Sequence, residues 1–343
     1  MARAVVTGGS GYFGGVVVAM LRARGYDVTV FDLVDVPERP SDVRFVRGDI
    51  RDADAVSRAC AGTDVLHHNV AQVPIAKDRA LFESVNVGGA RNLLEAALRH
   101  GVRKTILVSS SAVFGVPARN PVDATVVPRP REPYGAAKLE AERIAAGYVA
   151  RGLDVTIVRP RTILGHGRLG IFQILFEWVR KGRPVYLLGR GDNRYQFVHA
   201  DDLADACVRA GETPGPATFN VGAERFGTMR EALEALVRHA GTGSPVRSLP
   251  MRPTVRLMEL TSALGLSPLG PYHSLMYGRE MFFDLEPVKT ALGWRATRSN
   301  EEMLCESYDD YVARRDEILA RVGASHHRSP VRQGILSILE RLP

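Results

Sequence analysis

Tyr134 and Lys138 stand four residues apart in Tyr-Gly-Ala-Ala-Lys. On a helix that spacing puts both side chains on one face. A free tyrosine titrates near ~10 and is a weak base at neutral pH. A nearby ammonium favours the phenolate, so the pair suits proton transfer to and from a secondary hydroxyl. Taken alone, the spacing is common; two further clusters give it weight. Ser109, Ser110 and Ser111 end an apolar run, where a hydroxyl can hydrogen-bond a reacting oxygen. Gly8, Gly11 and Gly14 lie in Thr-Gly-Gly-Ser-Gly-Tyr-Phe-Gly, after one apolar run and before a helical pattern. Such a turn lets backbone approach a pyrophosphate, and the free N–H groups at the helix start favour the anion. Asp32 lies 18 residues beyond Gly14, at the end of the second apolar run. A carboxylate there bonds a ribose 2′-hydroxyl and repels a 2′-phosphate, which favours NAD over NADP.

These clusters need a scaffold. Apolar runs at 3–7, 27–32, 43–47, 64–67, 104–109 and 154–159 alternate with helical patterns at 13–24, 53–60, 79–100 and 135–151. Strict alternation predicts crossover units and a parallel sheet covered on both faces. The expected class is α/β, a Rossmann-type doubly wound parallel sheet with a smaller mixed α/β substrate-binding domain. Residues 1–165 would form the NAD-binding domain, with about 195–222 returning to it. Residues 166–323 would be mainly the substrate cap, and 324–343 a tail ending in a short amphipathic helix. Five prolines in 116–133 predict an irregular loop over the sheet. Beyond it, helices are expected at 170–181, 201–211, 228–240, 253–264 and 300–320, with brief strands near 185–188, 195–198 and 217–220. Ser299 and Glu302 stand at capping-box spacing.

Composition narrows the classes. The 343 residues carry 45 basic and 38 acidic side chains, 45% apolar residues and three cysteines. The charge of +7 is spread through both halves without a like-charge block, whereas nucleic-acid binding needs clustered charge. Cys60, Cys207 and Cys305 are too few and too scattered for a disulfide framework, so a reduced, cytoplasmic setting is expected. No apolar run approaches the ~18 residues of a membrane span. No metal ligand set is apparent, and the adjacent His326 and His327 read as solvated. Only five of the basic residues are lysines.

In this order, the motifs resemble the extended short-chain dehydrogenase/reductases, the NAD-dependent epimerase/dehydratase group. Gly48-Asp49-Ile50, His68-Asn69-Val70-Ala71-Gln72-Val73-Pro74 and Asn86-Val87-Gly88-Gly89-Ala90-Arg91-Asn92-Leu93-Leu94 are similar to its landmarks, as are Phe197-Val198-His199-Ala200-Asp201-Asp202, Phe219-Asn220-Val221-Gly222 and Ala291-Leu292-Gly293-Trp294. The resemblance implies Tyr134 as acid/base, Lys138 as its tuner and ribose holder, and Ser110 as substrate-orienting group with Ser111 a close rival. It implies cofactor contacts at Gly8, Gly11, Tyr12, Phe13, Gly14, Asp32, Asp49, Ile50, Val70, Ala71, Asn86 and Pro160. It also implies a homodimer paired through the helices at 79–100 and 135–151, where Ala96, Ala97, Ala141, Ala145 and Ala146 would allow close approach.

Within the group, the 4,6-dehydratases need an Asp-Glu pair where this chain has Ser111 and Ala112; without carboxylates the elimination lacks its acid and base. Epimerisation and simple alcohol oxidation need only the parts present. The first reading is an NAD-dependent oxidoreductase or 4-epimerase on a nucleotide-activated sugar, with Arg161, Arg168, Arg183, Arg190 and Arg194 available to a diphosphate and Ser111, Thr162 and Tyr195 beside it. Against it, Thr162 replaces an Asn common in nucleotide-sugar enzymes. The stretch 250–284 looks more like the 3β-hydroxysteroid dehydrogenases, so the second reading is an alcohol dehydrogenase or ketone reductase on a lipid-like substrate. Leu257, Met258, Leu260 and Leu264 would then line a pocket or belong to ordinary core. An NAD-binding sensor without catalysis is the third reading; it has no need of Tyr134, Lys138 and Ser110.

Overall fold

The computed structural model describes residues 1–72, 78–168, 170–267, 269–320, 334 and 336. Val73, Pro74, Lys77, His326 and His327 therefore lie outside the described residues, as does nearly all of the expected tail. The first half alternates β1 (Arg3–Thr7), α1 (Tyr12–Ala23), β2 (Asp27–Asp32), β3 (Arg44–Arg47), α2 (Ala53–Cys60), β4 (Val65–His68), α3 (Arg79–Leu81), α4 (Gly89–Arg99), β5 (Lys104–Val108), α5 (Pro133–Val149) and β6 (Val155–Pro160). Then come β7 (Thr162–Leu164), α6 (Ile171–Arg180), β8 (Val185–Leu188), β9 (Arg194–Tyr195), β10 (Phe197–His199), α7 (Ala200–Glu212) and β11 (Ala217–Val221). The chain closes with β12 (Gly227–Thr228), α8 (Met229–Ala240), β13 (Val246–Leu249), α9 (Met251–Ala263), α10 (Pro271–Met276), α11 (Glu286–Leu292), α12 (Asn300–Ala313) and α13 (Arg315–Ala320).

Seven strands form one parallel sheet in the order β11-β6-β5-β4-β1-β2-β3. The order reverses between β1 and β4, which opens a crevice at their carboxyl ends. Strands β1, β4 and β5 are buried almost throughout, as continuous apolar runs in a parallel sheet should be. On one face Val17, Val18 and Leu21 of α1 pack with Ala204 and Val208 of α7. On the other, Leu93, Leu94 and Ala97 of α4 meet Ile144, Ala145 and Tyr148 of α5. Of the alanines expected at a dimer face, Ala96, Ala97, Ala141 and Ala145 are thus buried within the chain, and Ala146 is exposed.

Two helical expectations need correction. The pattern at 79–100 is interrupted by a π-helical turn over Phe82–Gly88. Phe82 there meets the Tyr134 ring at 6.1 Å between centroids. The pattern at 300–320 is two helices. Arg314 leaves helical geometry, and the break lets Arg315 bond Glu177 of α6 at 3.0 Å. The helix start at Ser299 has its capping box with Glu302. The strands β7, β12 and β13 and the helices α10 and α11 are too short to announce themselves by periodicity.

Candidate active site

The glycine turn is set by sterics. Gly8 has φ +73°, in the left-handed region that glycine adopts without strain. A Cβ on Gly14 would lie 2.0 Å from the Gly8 carbonyl oxygen, so only glycine lets α1 begin against the turn. A Cβ on Gly8 would lie 3.0 Å from the Val70 nitrogen, which places Val70 and Ala71, at the end of β4, beside the turn. Ser10 Oγ and both polar atoms of Asn69 are buried without a partner among the described residues. Buried polar groups are normally paired, so this rim fits a polar, dinucleotide-like ligand. The Asp32 carboxylate accepts from the Ser10 and Leu33 amides at 3.0 and 2.7 Å. Burial raises its pKa, while those amides hold it down.

Other residues of the expected cofactor set make contacts within the ligand-free chain. Asp49 is engaged by Arg51, whose guanidinium holds its carboxyl below the usual range. Ile50 packs against Gly89, where a Cβ would come within 2.8 Å. Asn86 is clasped to the backbone of Gln72, accepting at 2.7 Å and donating at 3.0 Å. It shapes the loop after β4 with both ends of its amide.

Tyr134 and Lys138 both lie on α5, buried. Glu132 starts this helix by accepting from the Tyr134 and Gly135 amides at 2.8 and 2.5 Å; it was not among the expected site residues, and the sequence signal for a helix start here is Pro133 at the first helical position. Ser110 and its close rival Ser111 separate in the fold. The Ser110 hydroxyl hydrogen-bonds the Tyr134 phenol. Ser111 Oγ accepts from Arg161 at 2.9 Å. Burial pushes the Tyr134 phenol up to about 12, against the Ser110 bond and the charge of Arg168. In the ligand-free chain the charge of Arg168 acts on this tyrosine. The Lys138 ammonium donates to the Val108 carbonyl at 2.8 Å. Burial lowers its pKa to about 8, opposed by the charge of Glu142. His68, bonded to Thr7 at 2.8 Å, is held neutral by burial and by Lys138.

On the substrate side the five arginines divide. Arg161 is 1% exposed. Arg168 stands over the Tyr12 ring at 5.6 Å, donates to the Ile163 carbonyl at 3.1 Å and is lowered to about 10 by burial. Arg183 and Arg190 are exposed. Arg194 stacks outward on Phe226 and Phe282, at 5.1 and 4.1 Å from their ring centres. A five-arginine clamp is therefore not assembled. Thr162 bonds the buried Tyr195 hydroxyl at 2.9 Å, and Pro160 closes β6. Tyr272 of α10 reaches over this cluster, its phenol bonded to Thr162 and Ser111 and raised by burial.

One cavity adjoins the catalytic helix, and a second lies in the later half of the chain. The first, of about 430 Å³, has Phe82, Glu132, Ser262 and Tyr272 in its walls. The other, of about 210 Å³, is lined mainly by hydrocarbon, including Phe172, Leu175, Trp178, Leu187, Leu233 and Met258, and reaches Tyr277. Of the leucine-rich helix, Thr254 and Met258 meet this cavity. Leu257, Leu260 and Leu264 are 57%, 58% and 63% exposed, which overturns both the pocket and the core reading for them. His166, His199 and Glu306 also gather, with ligand atoms within 4.8 Å. His199 Nδ1 accepts from the Asp201 amide at 3.2 Å, which puts its proton on Nε2, 3.8 Å from the Glu306 carboxylate.

A family model for the NAD dependent epimerase/dehydratase family matches residues 4–222. The uncharacterized protein y4nG of Sinorhizobium fredii is 50% identical over 337 residues, 98% of this chain and 85% of that protein. The 3 beta-hydroxysteroid dehydrogenase/Delta 5→4-isomerase of Mycobacterium tuberculosis is 34% identical over 258 residues, 68% of this chain and 70% of that one. The Thermus thermophilus UDP-glucose 4-epimerase, solved in complex with NAD, superposes with a TM-score of 0.72 at 28% identity, covering 90% of this chain and 99% of that one. Among the described residues no helix is long and apolar enough to cross a membrane. With the glycine turn, Asp32 and the Tyr134-Lys138 helix assembled at the carboxyl ends of one parallel sheet, the chain belongs to the NAD-dependent epimerase/dehydratase family and is an NAD-dependent enzyme of the short-chain dehydrogenase/reductase type.

Proposed function

We propose that this enzyme moves hydride at a secondary alcohol or ketone of an apolar substrate. Tyr134 carries the proton, Ser110 orients the reacting oxygen and Lys138 holds the nicotinamide ribose. The observation that carries the choice of substrate is the hydrocarbon wall of the cavity ending at Tyr277. Such a wall gains by covering apolar surface and gives a nucleobase few partners for the water it must shed. Arg183, Arg190 and Arg194 are exposed and none of them lines this cavity, which supports an apolar substrate over a diphosphate. The likeness to a hydroxysteroid dehydrogenase supports the same order. A second reading, 4-epimerisation of a nucleotide sugar, draws support from the likeness to the Thermus epimerase.

Bound NAD supplies a two-electron hydride acceptor, and as NADH a donor. The chain supplies the proton path. With the phenol at about 12, Tyr134 is the neutral acid at physiological pH, suited to protonating the oxygen of a ketone as it is reduced. In oxidation, the charge of Arg168 favours the phenolate as the alcohol proton arrives. Ser110 keeps the phenol oriented. Replacing Tyr134 by Phe should lower kcat about 10²–10⁴-fold; full activity would refute the assignment. NADH consumption with a panel of ketones of rising hydrocarbon size, set against interconversion of UDP-glucose and UDP-galactose, decides between the two readings.

A further inference from the structure

We propose that Arg161 seats a carboxylate that the substrate carries at its reacting end. This rests on the reading of an apolar alcohol or ketone and narrows it to a hydroxy or oxo acid. Arg161 follows directly on β6 and is 1% exposed. Its NH1 donates to Ser111 Oγ at 2.9 Å and lies 3.2 Å from the Met281 sulfur. The guanidinium sits 4.6 Å from the Tyr195 ring centre. Nε and NH2 have no partner among the described residues. A guanidinium stays charged in a protein, so it cannot escape the cost of burial by losing its proton.

The unpartnered edge is informative. Elsewhere in this chain carboxylates dock two-pronged on the Nε and NH2 pair. Arg22 takes Asp42 there at 2.8 and 2.7 Å, and Arg159 takes Glu142 at 2.9 and 2.6 Å. At Arg161 the chain brings no carboxylate to that edge, which has the planar, two-donor shape that a carboxylate fits. Its place is also telling. Ser111, held by Arg161, adjoins Ser110, held to Tyr134, so anion and reacting carbon belong to one end of the molecule. Tyr272, near Arg161, also lines the larger cavity. Its phenol bonds Ser111 and Thr162 and feels the charge of Arg161, and an entering carboxylate would take over those contacts. A diphosphate carries more charge than one guanidinium balances, and the surroundings of Tyr195, Phe283 and Met281 are otherwise apolar.

The test is isothermal titration of the NADH-loaded enzyme with 3-hydroxydecanoate, its methyl ester and UDP, in wild type, Arg161→Met and Arg161→Lys. The NADH complex cannot oxidise the alcohol, so binding is read without turnover. Wild type should bind the acid at least about tenfold more tightly than the ester. Arg161→Met should erase that ratio, and Arg161→Lys should keep only part of it, because an ammonium lacks the two-donor edge. Arg161→Met removes an unpaired buried charge and should melt no lower than wild type; should it fail to fold, the lysine variant and the acid-to-ester ratio of wild type still decide. Equal binding of acid and ester by wild type overturns the seat and leaves the apolar reading standing, and survival of the acid preference in Arg161→Met overturns the seat as well. Preference for UDP over both, or binding of neither acid nor ester, overturns the seat and the apolar reading together.

Discussion

Replacing Glu142 by Gln tests how the catalytic helix is fixed. Glu142 is 5% exposed and sits four residues beyond Lys138 on α5. Its carboxylate accepts from Arg159 Nε and NH2 at 2.9 and 2.6 Å, and from Ser109 Oγ at 2.5 Å. It therefore joins the ends of β5 and β6 to the helix that bears Tyr134. Glutamine keeps the shape and one acceptor but removes the charge, leaving the Arg159 guanidinium, only 16% exposed, without its anion. Breaking a buried pair in this way costs roughly 3–5 kcal/mol; the residual exposure of Arg159 points to the lower end, about 3 kcal/mol. At about 2–4 °C per kcal/mol for a large domain, Tm should fall by roughly 6–12 °C. Losing that charge also drives the Lys138 pKa further down from about 8, so less ammonium remains at neutral pH. Equilibrium urea unfolding measures the loss, with m unchanged as the check that the same surface is exposed. A loss below about 1 kcal/mol at the same m, against the 3–5 kcal/mol typical of a broken buried pair, would refute the reasoning.

Three further outcomes follow from the same site. Lys138 has a folded pKa near 8, below its usual 10.5, so its charged form is disfavoured by folding; the penalty is full below pH 8 and fades as pH rises towards 10.5. Lys138→Met should thus abolish activity yet stabilise the ligand-free protein relative to wild type at pH 7, with the gap closing by roughly 2–3 kcal/mol by pH 10, as urea titrations at the two pH values would show. Asp32→Asn removes the charge facing a 2′-phosphate and should lower the NAD-to-NADP ratio of kcat/KM at least about tenfold; an unchanged ratio sinks the role of Asp32. Gly14→Ala places a methyl carbon 2.0 Å from the Gly8 oxygen, and calorimetry should find NAD affinity lost at least about tenfold, because the turn must open.

What was legible in the sequence is what local chemistry dictates. The glycine turn and Asp32 span one strand-turn-helix-strand unit, so their spacing alone places them. Tyr134 and Lys138 share a helix face by periodicity. The chemistry between distant segments was not legible. Arg161 meets Ser111 across 50 residues because β5 and β6 are neighbours in the sheet, and Tyr272 reaches them from another 111 residues on. Lys138 was expected to tune Tyr134; in the ligand-free chain its ammonium meets the Val108 carbonyl, and no spacing predicts a backbone partner on another strand. Asn86 fits a cofactor motif and is used as a clasp for Gln72. The leucines of α9 recur as a core face would, yet three of them face solvent, since periodicity shows that a helix has a side and not what covers it.

The burial of the amines has a practical consequence for labelling. Lys104 and Lys138 are 1% and 5% exposed, and the side chains of Lys181 and Lys289 are 38% and 18% exposed. Among the described residues the surface positive charge is mainly guanidinium, so beyond Lys181 and the exposed Met1 amine, acylating dyes and lysine-directed crosslinkers will find little there to react with. Lys138, with a pKa of about 8, is uncharged in roughly one molecule in ten at neutral pH, a far larger share than for an ordinary lysine. A small acylating reagent shaped to enter the crevice would therefore mark this amine, and bound cofactor should shield it, so one mass-spectrometric footprint at Lys138 would report occupancy of the site without any knowledge of the substrate.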